Sequence, residues 1–419
     1  MGSSRVYKLK INKSENDRII FALCSIVFIP AINNFVNSIL KIGFHIHLDF
    51  ITPFSYIFMA IVSVGVLYRK ILKKRMLLML LLSAFAGAGI SYMIYPEIRS
   101  LLYSSPVDLV YSPLNKLFFF CIPALSGVVC LLDSNALFEK MKVWARVTCI
   151  GGICTYIYIF FFVGEKLQYM IYSYFMLLPI CVCFEHAETK ESLLDLTVAG
   201  VGSVCIVMCG ARGAIVSLIL YFISRVLLIH GKSVKLKSVI IFFFVLLLCV
   251  MLIFYYNEIL LTVVNLFDKI GVDSRFIMSI YDGELMEDAA RTSIANAIMD
   301  GIAENPFGYG LYGDRYAAGK FGHGRYRYAH NIFVELLCDF GIIGGSAAII
   351  FIVWKLAKTI AILRKRDEIH LLMVLLPYGL YQLFFSSSFL ENVPFFMIMA
   401  MVFCINWKKR IGVQTGEMV

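Results

Sequence analysis

The chain has 419 residues, 60% of them apolar and only 16% charged, with a mean hydropathy of +0.82 and a formal net charge of +10. Soluble globular chains average about a quarter charged residues, so this composition excludes a soluble enzyme, a secreted disulfide scaffold and a disordered protein. An α-helix crosses a bilayer with about 20 mostly apolar residues, and the chain is therefore expected to be an all-α integral membrane protein.

Residues 1–18 carry Arg5, Lys8, Lys10, Lys13 and Arg18 and run into apolar sequence without a small-residue cleavage site, which predicts a cytoplasmic tail rather than a removable signal. Val6 stands where a myristoylation motif requires Ser or Thr. Apolar runs then follow at 19–40, 50–68, 76–95, 117–132, 143–163, 168–184, 193–209, 213–230 and 238–256. After a hydrophilic stretch come 332–354, 369–387 and 393–407, for about twelve predicted transmembrane helices. With the N-terminus inside, the inner segments collect 26 of the 38 Lys and Arg. The positive-inside rule accordingly predicts a multi-pass membrane protein with both termini cytoplasmic. The net charge is consumed by that topology, and no basic patch is left for nucleic acid.

The expected organisation is a tail at 1–18, nine helices within 19–256, a large extracytoplasmic loop at 257–330, three helices within 331–407 and a second tail at 408–419. The loop holds ten carboxylates, seven Lys or Arg and nine glycines; a segment this long and this mixed is read as an ordered, partly helical external domain. The 12 cysteines lie in or beside apolar runs, as small buried hydrophobes. Cys181 and Cys183 are read in the same way, and neither a metal nor another cofactor is expected.

Three places on the outer face carry chemistry. In Gly210-Ala211-Arg212-Gly213-Ala214, an Arg among small residues at a helix boundary either turns its guanidinium fork to phosphate oxygens or snorkels to the interface. In the run from Asp288 to Gly310, Asp288 or Thr292 begins a helix that Asn305-Pro306 ends. Arg291 then stands near a helix N-terminus that favours anions, the alternative being a surface salt bridge to Glu287 or Asp288. The third place gathers Arg315, Lys320, His323, Arg325, Arg327 and His330-Asn331 ahead of the tenth apolar run. His330 is a candidate general base, against a purely structural role; Glu335 and Asp339, one helical turn apart, are placed to tune it. Glu391 in the last outer turn either orients a cation or a sugar hydroxyl or is simply a solvated carboxylate.

These sites, in this order, resemble the O-antigen polymerase and O-antigen ligase superfamily of bacterial polysaccharide assembly. His330-Asn331, nine residues and Gly341-x-x-Gly344 match the signature H-[NSQ]-x9-G-x-x-[GTY]. The stretch from Arg291-Thr292 to Asn305-Pro306-Phe307-Gly308-x-Gly310 is similar to the family's central-loop segment, and Ala211-Arg212-Gly213-Ala214 to its Ser-Arg-Gly-type turn. The likeness covers roughly residues 197–406. It departs at Val216, where the variant R-x3-L has Leu; Leu218 follows two positions later.

The resemblance implies a GT-C-like fold and a metal-independent, inverting glycosyl transfer, in which an undecaprenyl-pyrophosphate-linked oligosaccharide donor passes its glycan to an acceptor hydroxyl. His330 would be the catalytic base, and Arg212 and Arg291 would bind the pyrophosphate. Arg315, Arg325, Arg327, Tyr326, Glu335, Asp339, Asn331 and Glu391 are the further substrate-binding candidates, with Tyr309, Tyr312 and Tyr328 beside Tyr326 for stacking on sugar rings. The favoured reading is a polymerase extending another lipid-linked repeat unit, alongside membrane lipids, a chain-length regulator and a flippase as partners. A ligase to lipid A-core and, in another class, a polysaccharide flippase or carrier are the alternatives.

Overall fold

The computed structural model describes residues 13–48, 50–96, 112–131, 134–163, 169–209, 211–229, 289–321 and 328–403. Among the described residues every regular element is helical and there is no strand, as expected of an all-α membrane protein. In chain order these are α1 (Ser14–Gly43), α2 (Ile51–Lys73), α3 (Arg75–Ile94), α4 (Pro113–Cys130), α5 (Ser134–Phe160), α6 (Met170–Lys190), α7 (Leu193–Cys209) and α8 (Arg212–Ile229). There follow α9 (Ala289–Glu304) and α10 (Gly313–Lys320) of the hydrophilic segment, then α11 (Ile332–Leu363), α12 (Ile369–Phe384) and α13 (Val393–Phe403). Eight are long and apolar enough to cross a membrane, and α7, α12 and α13 are shorter apolar helices. The predicted span 238–256, the loop residues 257–288 and both tails from 1–12 and 404–419 lie outside the described residues.

Large side chains such as Phe54, Met93, Phe162, Ile343 and Ile350 point outward, as lipid-facing positions must in a bilayer whose solvent is apolar. The interior is a single extended cluster in which α6 touches α1, α5, α7, α8 and α12. The end of α6 remote from the hydrophilic segment is fastened by two adjacent polar groups. Glu185 accepts hydrogen bonds from Tyr221 Oη (2.7 Å) and Arg225 Nε (3.0 Å) and lies 2.6 Å from His370 Nδ1. His186 Nδ1 lies 2.8 Å from Asp195, which is also ion-paired with Arg146. Consecutive residues of one helix thus clamp α8 and α12 on one side and α5 and α7 on the other.

One predicted span is interrupted. The span expected at 332–354 is broken at Gly341, where φ is 74° and ψ 171°. Residues 332–340 form a short arm, and residues 342–363, at about 1.5 Å each, supply about 33 Å of uninterrupted helix, enough to cross the hydrocarbon. Lys355 and Lys358 at its far end lie over the rings of Phe351 and Trp354, so their stems cover apolar surface while the ammonium groups reach the boundary.

Removing one partner of a buried ion pair leaves the other charged and unsolvated, at about 3–5 kcal/mol. Glu185→Ala is expected to lower the thermal midpoint of the detergent-solubilised protein by that much destabilisation. Glu139→Ala is the control: its contacts to His186 and Lys190 are longer, 3.8 and 3.5 Å, and its side chain is half exposed, so the midpoint should move little.

Candidate active site

The break at Gly341 organises the site. Its dihedrals belong to a region open essentially to glycine alone, and a Cβ there would stand 2.5 Å from the carbonyl carbon of Phe307. A helix that stops in its middle strands carbonyls before the break and amides after it. The stretch Asn305–Gly310 supplies the missing partners: Tyr309 N–H donates to Cys338 O (2.9 Å), Gly310 N–H to Asp339 O (2.8 Å), and Ile342 N–H to Pro306 O (2.9 Å). Gly308, at φ 90°, lets the two backbones meet, since its Cβ would come within 2.4 Å of Gly341 N. Asn305 fixes the turn by donating to Gly308 O (2.8 Å) and Tyr95 Oη (2.9 Å). The two sequence motifs 305–310 and 341–344 are therefore one interlocked unit.

Helix α9 begins at Ala289, close to the predicted start, and puts Arg291 in its first turn; Asn305, whose N–H donates to Gly301 O (2.9 Å), closes it as expected. Ile294, Ile298 and Ile302 of α9 pack with Tyr309, Ala317, Ala329 and Cys338 in a small core of their own. That core ties α9 and α10 to the short arm of α11. Tyr309 and Tyr312 belong to buried packing and not to an open sugar platform, which corrects the expectation for them. Tyr309 donates to Gly301 O (3.0 Å) and Tyr312 to Pro113 O (2.9 Å), and burial pushes the Tyr309 phenol up to about 12 and that of Tyr312 well above its ordinary value. Arg325, Tyr326 and Arg327 lie outside the described residues.

Beneath the short arm lies a chain of charges. Arg315, 2% exposed, is ion-paired with Asp314 (3.0 Å) and Glu391 (2.5 Å) and lies 4.9 Å from the Tyr312 ring centre and 5.8 Å from that of Tyr328. Glu391 also takes Lys116 at 2.8 Å. The solvated-turn reading of Glu391 is thereby replaced by that of a bridge between two cations. Burial alone would raise its carboxyl, but Lys116 and Arg315 hold it below the usual glutamate range. Burial likewise opposes the charge on Arg315, and Asp314 and Glu391 overcome it. Fully enclosed, Arg315 acts as a positioning residue rather than as a hand extended to substrate.

Asp314 turns the chain of charges towards His330. Its second oxygen accepts from Ala329 N–H (2.9 Å) and its own N–H donates to Asp339 (3.3 Å). Glu335 accepts from Ser388 Oγ and from Phe389 N–H (3.1 Å), so both carboxylates of the arm hold backbone segments in place. His330 follows Ala329 directly, at a φ of 53°, with its ring 4.1 Å from that of Tyr328. Asn331 caps α11: its oxygen accepts from Phe333 N–H (2.9 Å) and Val334 N–H (3.4 Å), and its amide donates to Phe384 O (3.4 Å). This cap explains why a short polar residue follows the histidine, and it commits Asn331 to structure.

Arg212 is the first residue of α8, where the positive end of the helix adds to its charge. Gly213 permits a close approach, since a Cβ there would fall 2.1 Å from Tyr174 Oη and 3.2 Å from Phe385 Cβ. Phe384 receives the Asn331 amide and Phe385 abuts Gly213, so one turn beyond α12 touches both the His330 junction and the start of α8. Val216 is partly exposed whereas Leu218 is in the core, so the departure from the R-x3-L pattern falls on an outward-facing position where either aliphatic side chain fits. Sequence reasoning missed Lys116, Asp314 and Ser388; the available signals were the adjacent Asp314-Arg315 pair and the polar run Ser386-Ser387-Ser388 in an otherwise apolar turn.

Residues 197–349 match a family model described as O-antigen ligase. The matched segment runs from α7 through Arg212, Arg291, Arg315 and His330 to just past Gly344, a little over a third of the chain, and it stops short of Glu391. No curated protein and no solved structure matches the chain. The resemblance read from the motifs is borne out for this segment.

Gly341→Ala meets both a forbidden φ and backbone at 2.5 Å; the strain alone is about 1–3 kcal/mol, and a clear fall in the thermal midpoint and in glycan transfer is expected. The depressed carboxyl of Glu391 also sets a pH dependence. Its stabilising contribution is complete above the ordinary glutamate value near 4.5 and is lost as pH falls through the lower folded value. Thermal melts between pH 7 and 3 should show an acid-side loss of stability that Glu391→Gln reduces.

Proposed function

We propose that the protein is an O-antigen polymerase. It transfers the glycan of an undecaprenyl-pyrophosphate donor to a hydroxyl of another lipid-linked repeat unit, on the periplasmic face of the bacterial inner membrane. The observation that carries this reading is that one outer turn, residues 384–391, is bonded or packed to the His330-Asn331 junction, the start of α8 at Arg212 and the buried Arg315. In this reading His330 removes the proton of the attacking hydroxyl as the new glycosidic bond forms. The bond from the anomeric carbon to the pyrophosphate oxygen breaks on the opposite face, giving inversion. Arg212 and Arg291, each at a helix start, meet the charge that develops on the departing pyrophosphate. Asp314, Arg315 and Glu391 hold the loop against the membrane helices beside the His330-Asn331 junction.

The description of the matched family favours a second reading, transfer to lipid A-core as a ligase. The two share donor and chemistry and differ only in the acceptor. A carrier would place ionisable groups at the bilayer midplane; the Glu185 and His186 groups instead sit at the end of α6.

Purified protein in liposomes, given undecaprenyl-pyrophosphate-linked repeat units with and without lipid A-core, separates these readings on a gel. A ladder without lipid A-core is the expected result. Product only in its presence makes the protein a ligase, and no transfer by folded protein overturns the transferase reading. His330→Ala should reduce transfer by about 10²- to 10⁴-fold with expression intact. Arg212→Lys, which keeps the charge but loses the planar fork, should impair it more than a charge count alone would suggest.

A further inference from the structure

The charge chain has a second side. Beyond Glu391, away from Arg315, a cavity of about 160 Å³ opens between α1, α2, α4 and the turn ahead of α13. Lys116, Glu391 and Ser387 supply its polar wall, Tyr56 and Tyr378 bring aromatic rings with polar tips, and Val27 contributes to the apolar remainder. Drug-sized ligands occupy roughly 300–1,000 Å³, while a cavity of about 150 Å³ takes a single benzene, so the enclosed space is on the scale of one six-membered ring. A purely apolar occupant such as an isoprenoid unit would leave the Lys116 ammonium and Glu391 carboxylate facing hydrocarbon, an unfavourable match. A polyhydroxylated ring satisfies both kinds of wall, since its hydroxyls bond the charged pair and its C–H faces lie on the aromatic rings.

Ser387 adds an independent observation. It stands at φ 68°, a conformation uncommon outside glycine that costs of order 1–3 kcal/mol and tends to persist at ligand sites. A glycine would sit there without strain, yet the chain presents a hydroxyl to the cavity. Asn392, by contrast, is spent on structure: it donates to Tyr378 O (2.8 Å) and accepts from Phe395 N–H (2.9 Å), which fixes the turn that carries Ser387 and Glu391.

We propose that this cavity is a subsite for a single pyranose ring of the glycan, bound through Lys116, Glu391 and Ser387. The inference rests on the glycan-transfer reading for the identity of the ligand and adds a place where one sugar is recognised apart from the reacting hydroxyl. Because Glu391 is shared with Arg315, which stacks towards Tyr328 and thence His330, a ring in the cavity would be registered against the base by a continuous set of contacts.

The test is direct binding to the full-length protein in nanodiscs, by calorimetry, with two probes. One is the lipid-free oligosaccharide released by mild acid from the strain's own lipid-linked repeat unit, and the other is undecaprenyl phosphate without glycan. Val27→Trp fills the cavity and touches none of the charged pairs; it should weaken oligosaccharide binding by about tenfold or more and leave undecaprenyl phosphate within about twofold. Ser387→Gly removes the hydroxyl and relieves the strained φ, so it should keep or raise the thermal midpoint while weakening oligosaccharide binding, a combination that a structural role for Ser387 would not produce. It also serves if Val27→Trp fails to fold. Unchanged oligosaccharide affinity in the folded variants, loss of undecaprenyl phosphate binding instead, or no oligosaccharide binding by the wild type would each overturn the subsite. Turnover is not the readout: a protein that binds the oligosaccharide in this manner but transfers nothing would sink the transferase reading and leave the subsite standing.

Discussion

The architecture of the candidate site depends on an interrupted helix. A membrane helix satisfies its own backbone, and a break in it strands polar groups that lipid cannot solvate. Here the break at Gly341 is made good by the backbone of residues 306–310, through three hydrogen bonds. The consequence is positional. Once the loop must meet the break, the short arm 332–340 is set apart from the crossing helix, and its N-terminus, with His330 and the Asn331 cap, is presented beside the loop. A backbone–backbone junction also explains why both partner stretches are rich in glycine: close approach and positive φ leave little choice of residue.

The side chains of the arm then act as fasteners, not as reagents. Glu335 holds the turn at Ser388 and Phe389, Asp339 meets the Asp314 amide, and Asp314 reaches back to the residue before His330. Arg315 completes the frame by joining Asp314 to Glu391 across more than seventy positions of sequence. Buried ion pairs are weak contributors to net stability but severe when halved, so such a frame specifies one arrangement more than it strengthens the fold.

Much of this was legible in the sequence, for identifiable reasons. Hydropathy located the apolar helices because membrane length is a stringent constraint, and Asn305-Pro306 marked the end of α9 because proline restricts the residue before it. The motifs singled out Arg212, Arg291 and His330 by type and order. What stayed hidden was partnership. Glu335 and Asp339 share a helical face with nothing in their spacing to say that one would hold Ser388 and the other Asp314. Tyr309 and Tyr312 look like sugar platforms in a Tyr-rich loop, yet their burial is decided by tertiary packing, and Gly341 reads as an ordinary helix residue until its φ is known. The pairing of Lys116 with a carboxylate 275 residues away has no local signature.

Glu391 illustrates how a short turn acquires two duties. A carboxylate held between Lys116 and Arg315 cannot be repelled by either, and it remains charged despite burial because both cations outweigh the lost hydration. Its two oxygens diverge, Oε1 to Arg315 on the His330 side and Oε2 to Lys116 on the cavity side. Any ligand group that bonds Lys116 competes with, or adds to, one of these contacts, and the strain is felt by Arg315 through the same rigid carboxylate. Coupling of this kind requires no moving domain: it follows from one planar group shared by two cations in a medium where unmade hydrogen bonds are expensive.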